Sequence, residues 1–201
     1  NKNLGFGRAN NLGAKTAHGD YLVFMNPDVW VEPDTLRHLA EFLDTHPRVG
    51  IVGPHLIYPD GQIQDSFRRF MKPHYQIIKR LSWLLRIKRL RQSVKKYLMW
   101  NQDPHTDFRC DWLVGAMLMI RSPLFKEIGD FDERYFLFME DTDLCRAAAQ
   151  KNAEVWYHHL ARAQHNHQRL SDRGAGRSLL TKTFWIHVRS AGKYYAKWWR
   201  K

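Results

Sequence analysis

The chain has 201 residues, of which 44% are hydrophobic and 26% charged, so its composition is that of a folded globular protein and excludes a disordered chain. Lys and Arg outnumber Asp and Glu by 32 to 20, and the net charge of +12 favours a negatively charged partner: nucleic acid, an anionic membrane surface or a phosphorylated substrate. No apolar run reaches the ~18 residues that cross a bilayer. The two cysteines, Cys110 and Cys145, lack metal-site spacing and are expected to be buried, reduced thiols.

The first 60 residues alternate between helical and strand patterns. Small and apolar residues recur at helical spacing from Phe6 to Ala17, and Gly19 is the expected stop. The run "DYLVFM" is short and continuously apolar, as in a strand that helices cover on both faces. Pro33 and Asp34 begin a second helix, and "VGIVG" at 49–53 is a second buried strand. This alternation predicts an α/β layer with parallel strands.

In the second half of the sequence, a basic, aromatic insert precedes a new series of core strands and helices. Residues 74–104 form a basic, aromatic insert, after which "CDWLVGAMLMIRS" predicts a core strand. Ser122-Pro123 begins a short helix that Gly129 ends. "EDTDLCRAAAQKN" predicts a further helix with acids in its first turn, and "AEVWYH" predicts a last strand. Residues 177–200 predict a basic, aromatic helix.

The tripeptide Asn26-Pro27-Asp28 follows the apolar strand directly. Ligands of open α/β sheets bind outside the carboxyl ends of the strands. A carboxylate there can hold Mg²⁺ or Mn²⁺, which in turn neutralises a diphosphate. The alternative is that these three residues form only a turn, since all three are common turn formers.

Acidic residues are concentrated between residues 129 and 145. They are Asp130, Asp132, Glu133, Glu140, Asp141 and Asp143. The apolar run from Tyr135 to Met139 lies among them and would draw neighbouring carboxylates out of water, which raises a carboxylate pKa toward the range useful for a general base. The alternative is helix capping, with Asp141 as the N-cap.

Histidines are concentrated shortly afterwards, at His158, His159, His165 and His167. A late histidine beside Asp28 could complete a metal shell, because imidazole and carboxylate are both common metal ligands. The alternative for each of them is a structural histidine.

Two stretches together resemble the bacterial rhamnosyltransferase-like branch of the GT-A-fold family 2 glycosyltransferases. The first is "NLGFGRANNLGAKTAHGDYLVFMNPDVWVEPDTL", which carries the N-x-G-F-(A/G)-x-(A/G)-x-N-x-G pattern typical of that branch. The second is "DWLVGAMLMIRSPLFKEIGDFDERYFLFMEDTDLCRAA". The resemblance covers most of residues 1–60 and 108–170, and it implies an α/β fold of the GT-A class with a mixed sheet flanked by helices.

The resemblance implies a donor site at the end of the first strand. Asp28 takes the place of the last Asp of the family's D-x-D motif and would hold Mg²⁺ or Mn²⁺ on the nucleotide-sugar diphosphate. Asn26 stands where the first Asp would be, which leaves the metal shell thinner. His165 matches a late histidine near the diphosphate, and is a second metal ligand by that match. The donor-side positions in and before the first helix are Asn3, Gly5 and Asn11.

The resemblance also implies the catalytic and acceptor residues. Asp141, in the Glu140-Asp141 pair, matches the general base that deprotonates the acceptor hydroxyl. Enzymes of this kind invert the anomeric centre in one displacement, so one base and one metal suffice. The acceptor-side positions are Asp111, Trp112, Gly115 and Ala116.

The expected domain organisation is a partial GT-A catalytic domain over residues 1–170 and a C-terminal basic, aromatic helix over 171–201. Family members begin with a strand and loop that bind the nucleobase, followed by a second βα unit, and neither is present in this sequence. The expectation is therefore an N-terminally truncated fold without one edge of its sheet, and a chain that is inactive by itself.

The basic insert supplies the expected membrane contact. Residues 79–100 mix Trp, Leu and Ile with eight Lys and Arg, a composition typical of a helix in a membrane interface. A lipid-linked or glycan acceptor at the inner face of the cell membrane would suit such a peripheral enzyme of cell-surface polysaccharide synthesis. The alternatives are a solvated basic face, a non-catalytic remnant that binds a membrane or partner, and a nucleic-acid-binding protein, although the acid clusters and the absence of a known nucleic-acid motif oppose the last.

Overall fold

The computed structural model describes residues 3–70, 72, 86–166 and 181–199. Most expected helices and strands are confirmed, although α1 ends earlier than expected and the last strand continues seven residues further. The single strand expected in "CDWLVGAMLMIRS" is divided into Trp112–Leu113 and Met117–Arg121, which belong to different sheets. The elements are α1 (Phe6–Ala14), β1 (Tyr21–Met25), β2 (Val29–Val31), α2 (Thr35–Thr45), β3 (Val49–Ile57), β4 (Phe67–Arg68), α3 (Lys88–Tyr97), β5 (Phe108–Cys110), β6 (Trp112–Leu113), β7 (Met117–Arg121), α4 (Ser122–Glu127), α5 (Glu140–Gln150), β8 (Glu154–His165) and α6 (Lys182–Trp198).

The central sheet has the strand order β1-β7-β3-β8-β2, and β5 pairs with the outer edge of β8. Strands β3 and β8 are parallel, whereas the other pairs are antiparallel. The mixed sheet flanked by helices is confirmed, whereas the parallel pairing expected from the alternation occurs only between β3 and β8 among the described strands. The reason is that β7 inserts between β1 and β3 and runs against both, so strands close in sequence are not neighbours in the sheet.

Helices cover the two faces of this sheet. Residues of β3 alternate between the faces: Ile51 packs into the cluster that includes Phe125 of α4 and Leu144 of α5, and Val52 packs into the cluster that includes Leu39 of α2. Cys110 and Cys145 are buried free thiols, as expected.

Strand β1 departs from the expectation that both of its faces are covered. Leu22 and Phe24 are buried, and the Phe24 ring contacts those of Phe125 and Phe131. The alternate residues Val23 and Met25 are 38% and 43% exposed. In the part of the chain that the structure describes, β1 thus has one covered face and pairs with β7 alone.

The C-terminal helix α6 packs against the segment before α5. Tyr194 and Trp198 of α6 are buried in one cluster with Tyr135 and Met139. Lys197 lies 2.6 Å from the Asp143 carboxylate of α5, so the helix is joined to α5 by an ion pair as well as by apolar contact. The predicted boundary at residue 170 lies outside the described residues. Among the described helices none is both long enough and apolar enough to cross a bilayer.

Gly5 fixes the start of α1 against the segment that precedes α5. Its φ is +84°, and a Cβ at this position would lie 2.3 Å from the Phe136 carbonyl oxygen, which accepts a hydrogen bond from the Phe6 N–H. We expect Gly5→Ala to lower the free energy of unfolding by at least about 2 kcal/mol, because the left-handed backbone and the close contact both disfavour a side chain. Urea denaturation measures the change.

Gly13 provides the matched control in the same helix. A Cβ there meets nothing within 4 Å, so Gly13→Ala is expected to raise the free energy of unfolding by about 0.5–1 kcal/mol through helix propensity. Equal effects of the two substitutions would show that the contact between Gly5 and Phe136 does not hold α1 in place.

Candidate active site

Asp28 and His165 lie side by side at the end of the sheet. Strand β2 pairs with β8 so that Val29 is opposite His165, and the Asn166 N–H donates to the Asp28 carbonyl oxygen at 2.9 Å. His165 Nε2 is 3.3 Å from Asp28 Oδ1. The predicted neighbourhood of these two residues is confirmed, and their role as metal ligands stays a prediction.

The surroundings of His165 suit a metal ligand. Its ring is 2% exposed, and Nδ1 lies 2.9 Å from Gln64 Oε1. In the tautomer with its proton on Nδ1, the ring donates to Gln64 and turns the Nε2 lone pair toward Asp28, which is the orientation that a metal requires. The Asp28 side chain is 42% exposed and open to a ligand. One carboxylate and one imidazole fit a divalent cation that also takes oxygen ligands from a diphosphate.

Asp141 is the second residue of α5, and hydrogen bonds fix its carboxylate. Oδ2 accepts from the Gly115 N–H at 2.9 Å, and Oδ1 accepts from the Thr142 N–H at 2.7 Å and from the Thr142 hydroxyl at 3.3 Å. The helix begins at Glu140 and its N-cap is Met139, with φ +74°. The alternative interpretation of Asp141 as the N-cap is therefore wrong.

Glu140 and Asp141 form a buried pair of carboxyl groups. Burial, and then the Asp141 charge, raise the pKa of Glu140 to about 8. Burial also raises the pKa of Asp141, but its three hydrogen bonds favour the ionised form. The hydrogen bonds to Asp141 therefore favour Glu140 as the protonated member of the pair and Asp141 as the member that can accept a proton.

Three of the other acids between residues 129 and 145 are neutralised by bases. Asp132 pairs with Arg134 and Lys197, Glu133 with Arg8, and Asp143 with Lys197. No such ion pair to Glu140 or Asp141 occurs within the described ranges. Asp132, Glu133 and Asp143 are thus paired with bases, and a catalytic role of Glu140 and Asp141 stays a prediction.

The turn before β7 connects the two halves of the site. The Asn26 N–H donates to the Ala116 carbonyl oxygen at 2.8 Å, next to Asp28, and the neighbouring Gly115 N–H donates to Asp141. A Cβ at Gly115 would lie 3.2 Å from the Asp141 Cβ. Gly115 and Ala116 therefore bring the Asp28 turn and the Asp141 carboxylate to the same edge of the sheet.

The remaining predicted residues make contacts that hold the walls of the site. Asp111 accepts from the Arg69 guanidinium at 3.1 Å and from the Phe70 N–H at 2.7 Å, and Trp112 Nε1 donates to the Arg69 carbonyl oxygen at 2.9 Å. Both contacts hold the chain at residues 69–70. An acceptor contact of Asp111 or Trp112 stays a prediction.

The predicted donor-side residues lie around the start of α1. Asn3 Oδ1 accepts from the Gly5 N–H at 2.9 Å. The Asn11 side chain is buried and bonds both backbone groups of Phe131, at 2.9 Å each. Asn11 therefore joins α1 to the segment before α5, and a direct contact of these three residues with a donor stays a prediction.

The structure also brings together a group that sequence reasoning missed. Asp107 Oδ1 lies 2.9 Å from His158 Nδ1 and 2.6 Å from His159 Nδ1, and these atoms could hold a metal ion. His158 and His159 lie on β8, seven and six residues before His165, whereas Asp107 directly precedes β5. Hydrogen bonds alone also account for the group. The adjacent histidines signalled part of this group, but nothing in the sequence pointed to Asp107 or to Gln64. His167 lies outside the described residues.

The raised pKa of Glu140 makes a prediction about stability. The folded state keeps this proton between the ordinary pKa of 4.5 and about 8, whereas the unfolded chain releases it, so folding stability falls as the pH rises through this window. The slope is about 1.4 kcal/mol per pH unit. We expect Glu140→Gln to remove this dependence and to be more stable than the parent at pH 8 but not at pH 5. Urea denaturation at both pH values measures it, and a constant difference would contradict the buried proton.

Comparison with known proteins identifies the family of the chain. Residues 1–111 match the family described as Glycosyl transferase family 2. The chain belongs to this family. The N-acetylglucosaminyl-diphospho-decaprenol L-rhamnosyltransferase of Mycobacterium tuberculosis is 30% identical over 71% of this chain and 49% of its own length. Rhamnosyltransferase WbbL of Escherichia coli is 25% identical over 96% of this chain and 70% of its own length.

Solved structures agree on the fold of this family 2 chain. GalNAc-T7, crystallised with UDP, GalNAc and Mn²⁺, superimposes with a TM-score of 0.55 at 16% identity, over 80% of this chain and 30% of that protein. The chain therefore has the GT-A fold that the sequence predicted. It spans about half the length of the mycobacterial relative.

Proposed function

We propose that this chain is the catalytic part of an inverting glycosyltransferase of cell-surface polysaccharide synthesis. It transfers a sugar, rhamnose in the first instance, from a nucleotide-diphosphate donor to a glycan or lipid-linked acceptor. Two relatives are named rhamnosyltransferases, and the O-antigen biosynthesis protein RfbC of Myxococcus xanthus is 28% identical over 67% of this chain and 10% of its own length. The name of the mycobacterial relative includes a diphospho-decaprenol group.

One observation carries this proposal: two carboxylates of different character lie at one edge of the sheet. Asp28 is half-exposed beside an imidazole, which suits a metal and a diphosphate. Asp141 is held by a backbone N–H and paired with a protonated neighbour, which suits a base. A single displacement needs two such groups. Asp28 would face the leaving diphosphate through the metal, and Asp141 would face the attacking hydroxyl.

Asp141 acts as the general base. The acceptor hydroxyl donates its proton to Asp141 as its oxygen attacks the anomeric carbon, and the bond from that carbon to the diphosphate breaks on the opposite side. The hydrogen bonds from Gly115 and Thr142 aim the carboxylate, and the proton on Glu140 prevents a second negative charge in the pair. Proton transfer by a positioned base contributes roughly 10²- to 10⁴-fold to the rate.

Asp28 and His165 would hold the divalent cation, Mg²⁺ or Mn²⁺. When bound, the cation neutralises the charge that develops on the departing diphosphate. Gln64 holds the His165 ring in the orientation that a ligand needs. Asn26 contributes its backbone to the turn and leaves Asp28 as the carboxylate of this motif.

The surface fits a peripheral contact with the inner face of the cell membrane. Helix α3 has no buried residue and carries five Lys and Arg, at Lys88, Arg89, Arg91, Lys95 and Lys96. Trp100 follows it and is 56% exposed. Basic and aromatic side chains of this kind bind anionic lipid head groups. The rest of the insert, including residues 79–85, lies outside the described residues.

The test is transfer by the intact protein that contains this chain. Purified protein with Mn²⁺ is offered a panel of dTDP- and UDP-sugars, and the released nucleoside diphosphate is measured with and without a lipid-linked glycan acceptor. We expect acceptor-dependent release from dTDP-rhamnose. Release from a UDP-hexose instead would change the sugar and keep the reaction, and no release from any donor would overturn the proposal.

A further inference from the structure

A pocket lies beside Asp111, one of the residues predicted to contact the acceptor. We name it the Arg146 pocket. Its volume is about 490 Å³, and its walls come from α3, the segment after β4, Asp111, α5 and α6. Its charged lining residues are Arg69, Lys72, Lys96, Arg146 and Asp111. Asp111 is already paired with Arg69 at 3.1 Å, so the pocket presents three cations without a matching acid of its own lining.

Arg146 is held in this pocket by aromatic rings. Its guanidinium carbon lies 5.3 Å from the ring centroid of Phe70, 5.6 Å from that of Tyr194 and 5.1 Å from that of Trp198. Its Nη1 donates to the Tyr194 hydroxyl at 3.0 Å. Among the residues that the structure describes, no carboxylate lies within 4 Å of this guanidinium. A partly buried guanidinium without an acid is a ready partner for a phosphate, which it can bind through two N–H groups.

The rest of the lining is aromatic. Tyr97, Tyr195 and Trp199 line the pocket, and Trp199 is 74% exposed. The Tyr195 hydroxyl is buried and has no hydrogen-bond partner in the described ranges, and such groups commonly mark the place of a water or a ligand. Cations beside exposed aromatic rings suit a ligand that is anionic at one end and apolar at the other.

Asp141 and Arg146 of the pocket belong to the same helix. Arg146 follows Asp141 by five residues on α5, which is about 7.5 Å along a helix axis and about 140° around it. Asp111 lines the pocket, and the chain runs from it through Trp112 to Gly115, whose N–H donates to Asp141. An acceptor with its hydroxyl at Asp141 would therefore extend past Asp111 to place its other end in the pocket.

We propose that the Arg146 pocket binds the diphosphate of a lipid-linked acceptor, with the lipid chain leaving along Tyr97 and Trp199. The inference rests on the proposed function, because it names the acceptor class of the same site. It requires the phosphates to be held by Arg146, Lys96 and Lys72 without a metal, unlike the donor diphosphate at Asp28.

The test measures binding of farnesyl diphosphate, inorganic pyrophosphate and farnesol to the intact protein in EDTA. EDTA removes the metal on which the donor site depends. We expect farnesyl diphosphate to bind at least about tenfold more tightly than pyrophosphate and farnesol not to bind, because charge and apolar surface both contribute. Equal affinity for farnesyl diphosphate and pyrophosphate would overturn a lipid-linked ligand, and no binding of either would overturn the pocket.

Three variants locate the binding. Arg146→Gln and Lys96→Glu are each expected to weaken farnesyl diphosphate binding about ten- to hundredfold. Lys96 is exposed, so Lys96→Glu is expected to fold normally. It therefore tests the pocket even if Arg146→Gln disturbs the packing of the aromatic rings. Arg37→Gln is the control, since Arg37 is 54% exposed on α2 and pairs with Asp34 and Glu41. Unchanged binding in Lys96→Glu and in folded Arg146→Gln would overturn the proposal.

The outcome also separates this inference from the proposed function. Sugar transfer by a protein that does not bind farnesyl diphosphate would overturn the Arg146 pocket and leave the transferase in place. Metal-independent binding that Arg146→Gln and Lys96→Glu weaken, in a protein that transfers no sugar, would support the pocket as a lipid-diphosphate site and overturn the transferase.

Discussion

Replacing Asp141 with Asn is expected to lower kcat for sugar transfer by about 10²- to 10⁴-fold while leaving the KM for the donor nearly unchanged. The amide keeps the shape of the side chain and can still accept from the Gly115 N–H through its oxygen, but it cannot take a proton. Initial rates at saturating acceptor give kcat, and titration with the donor in the presence of Mn²⁺ gives its affinity. The separation of the two quantities is the specific signature of a lost base.

Glu140→Gln is the matched control for this experiment. The substitution imitates the protonated form that burial favours, so it keeps one carboxylate in the pair and is expected to retain most of kcat near neutral pH. A parent-like rate in Asp141→Asn would show that another group accepts the proton. A loss of about 10²- to 10⁴-fold in kcat for Glu140→Gln, with Asp141→Asn retaining the parent rate, would assign the base to Glu140.

Replacing Asp28 with Ala is expected to lower kcat/KM about 10²- to 10³-fold, because a metal ligand worth several kcal/mol in the transition state is lost. Unlike Asp141→Asn, Asp28→Ala is expected to lower the affinity for the donor. The parent should bind the donor more tightly in Mn²⁺ than in EDTA, and the variant should bind it equally weakly in both. Calorimetric titration under the two conditions measures the difference.

Asp20→Ala is the control for the charge of Asp28. Asp20 is an exposed acid at the opposite end of β1, where its backbone carbonyl accepts from the Ser122 N–H. The Asp20→Ala variant is expected to bind the donor as tightly as the parent does. If Asp28→Ala retained metal-dependent donor binding, the cation would be held elsewhere, and the Asp107, His158 and His159 group would be the first alternative among the described residues.

Local patterns in the sequence predicted the elements and the two ends of the site. The helices around Leu39 and Leu144 and the strands around Phe24 and Ile51 follow from apolar spacing, which depends on neighbouring residues alone. Asp28 at a strand end follows for the same reason. The family resemblance supplied the pairing of Asp28 with His165, two residues that no local pattern connects.

Contacts between distant segments could not be predicted in this way. The insertion of β7 between β1 and β3 depends on pairing across the whole sheet, and Leu22 opposite Ile120 has no signal in either run. Gln64 beside His165 and the rings around Arg146 are likewise contacts between segments far apart in sequence. Patterns of hydrophobicity determine which face is buried, but they do not determine which segment covers it.

The most direct test of a single displacement at Asp141 is the anomeric configuration of the product. The intact protein is incubated with its nucleotide sugar, Mn²⁺ and acceptor, and the new linkage is assigned by NMR from its anomeric coupling. We predict a configuration opposite to that of the donor, because one base and one departing diphosphate act on opposite faces of the sugar. A product with the donor's configuration would contradict this account, since a single displacement from the face opposite the diphosphate inverts the anomeric centre.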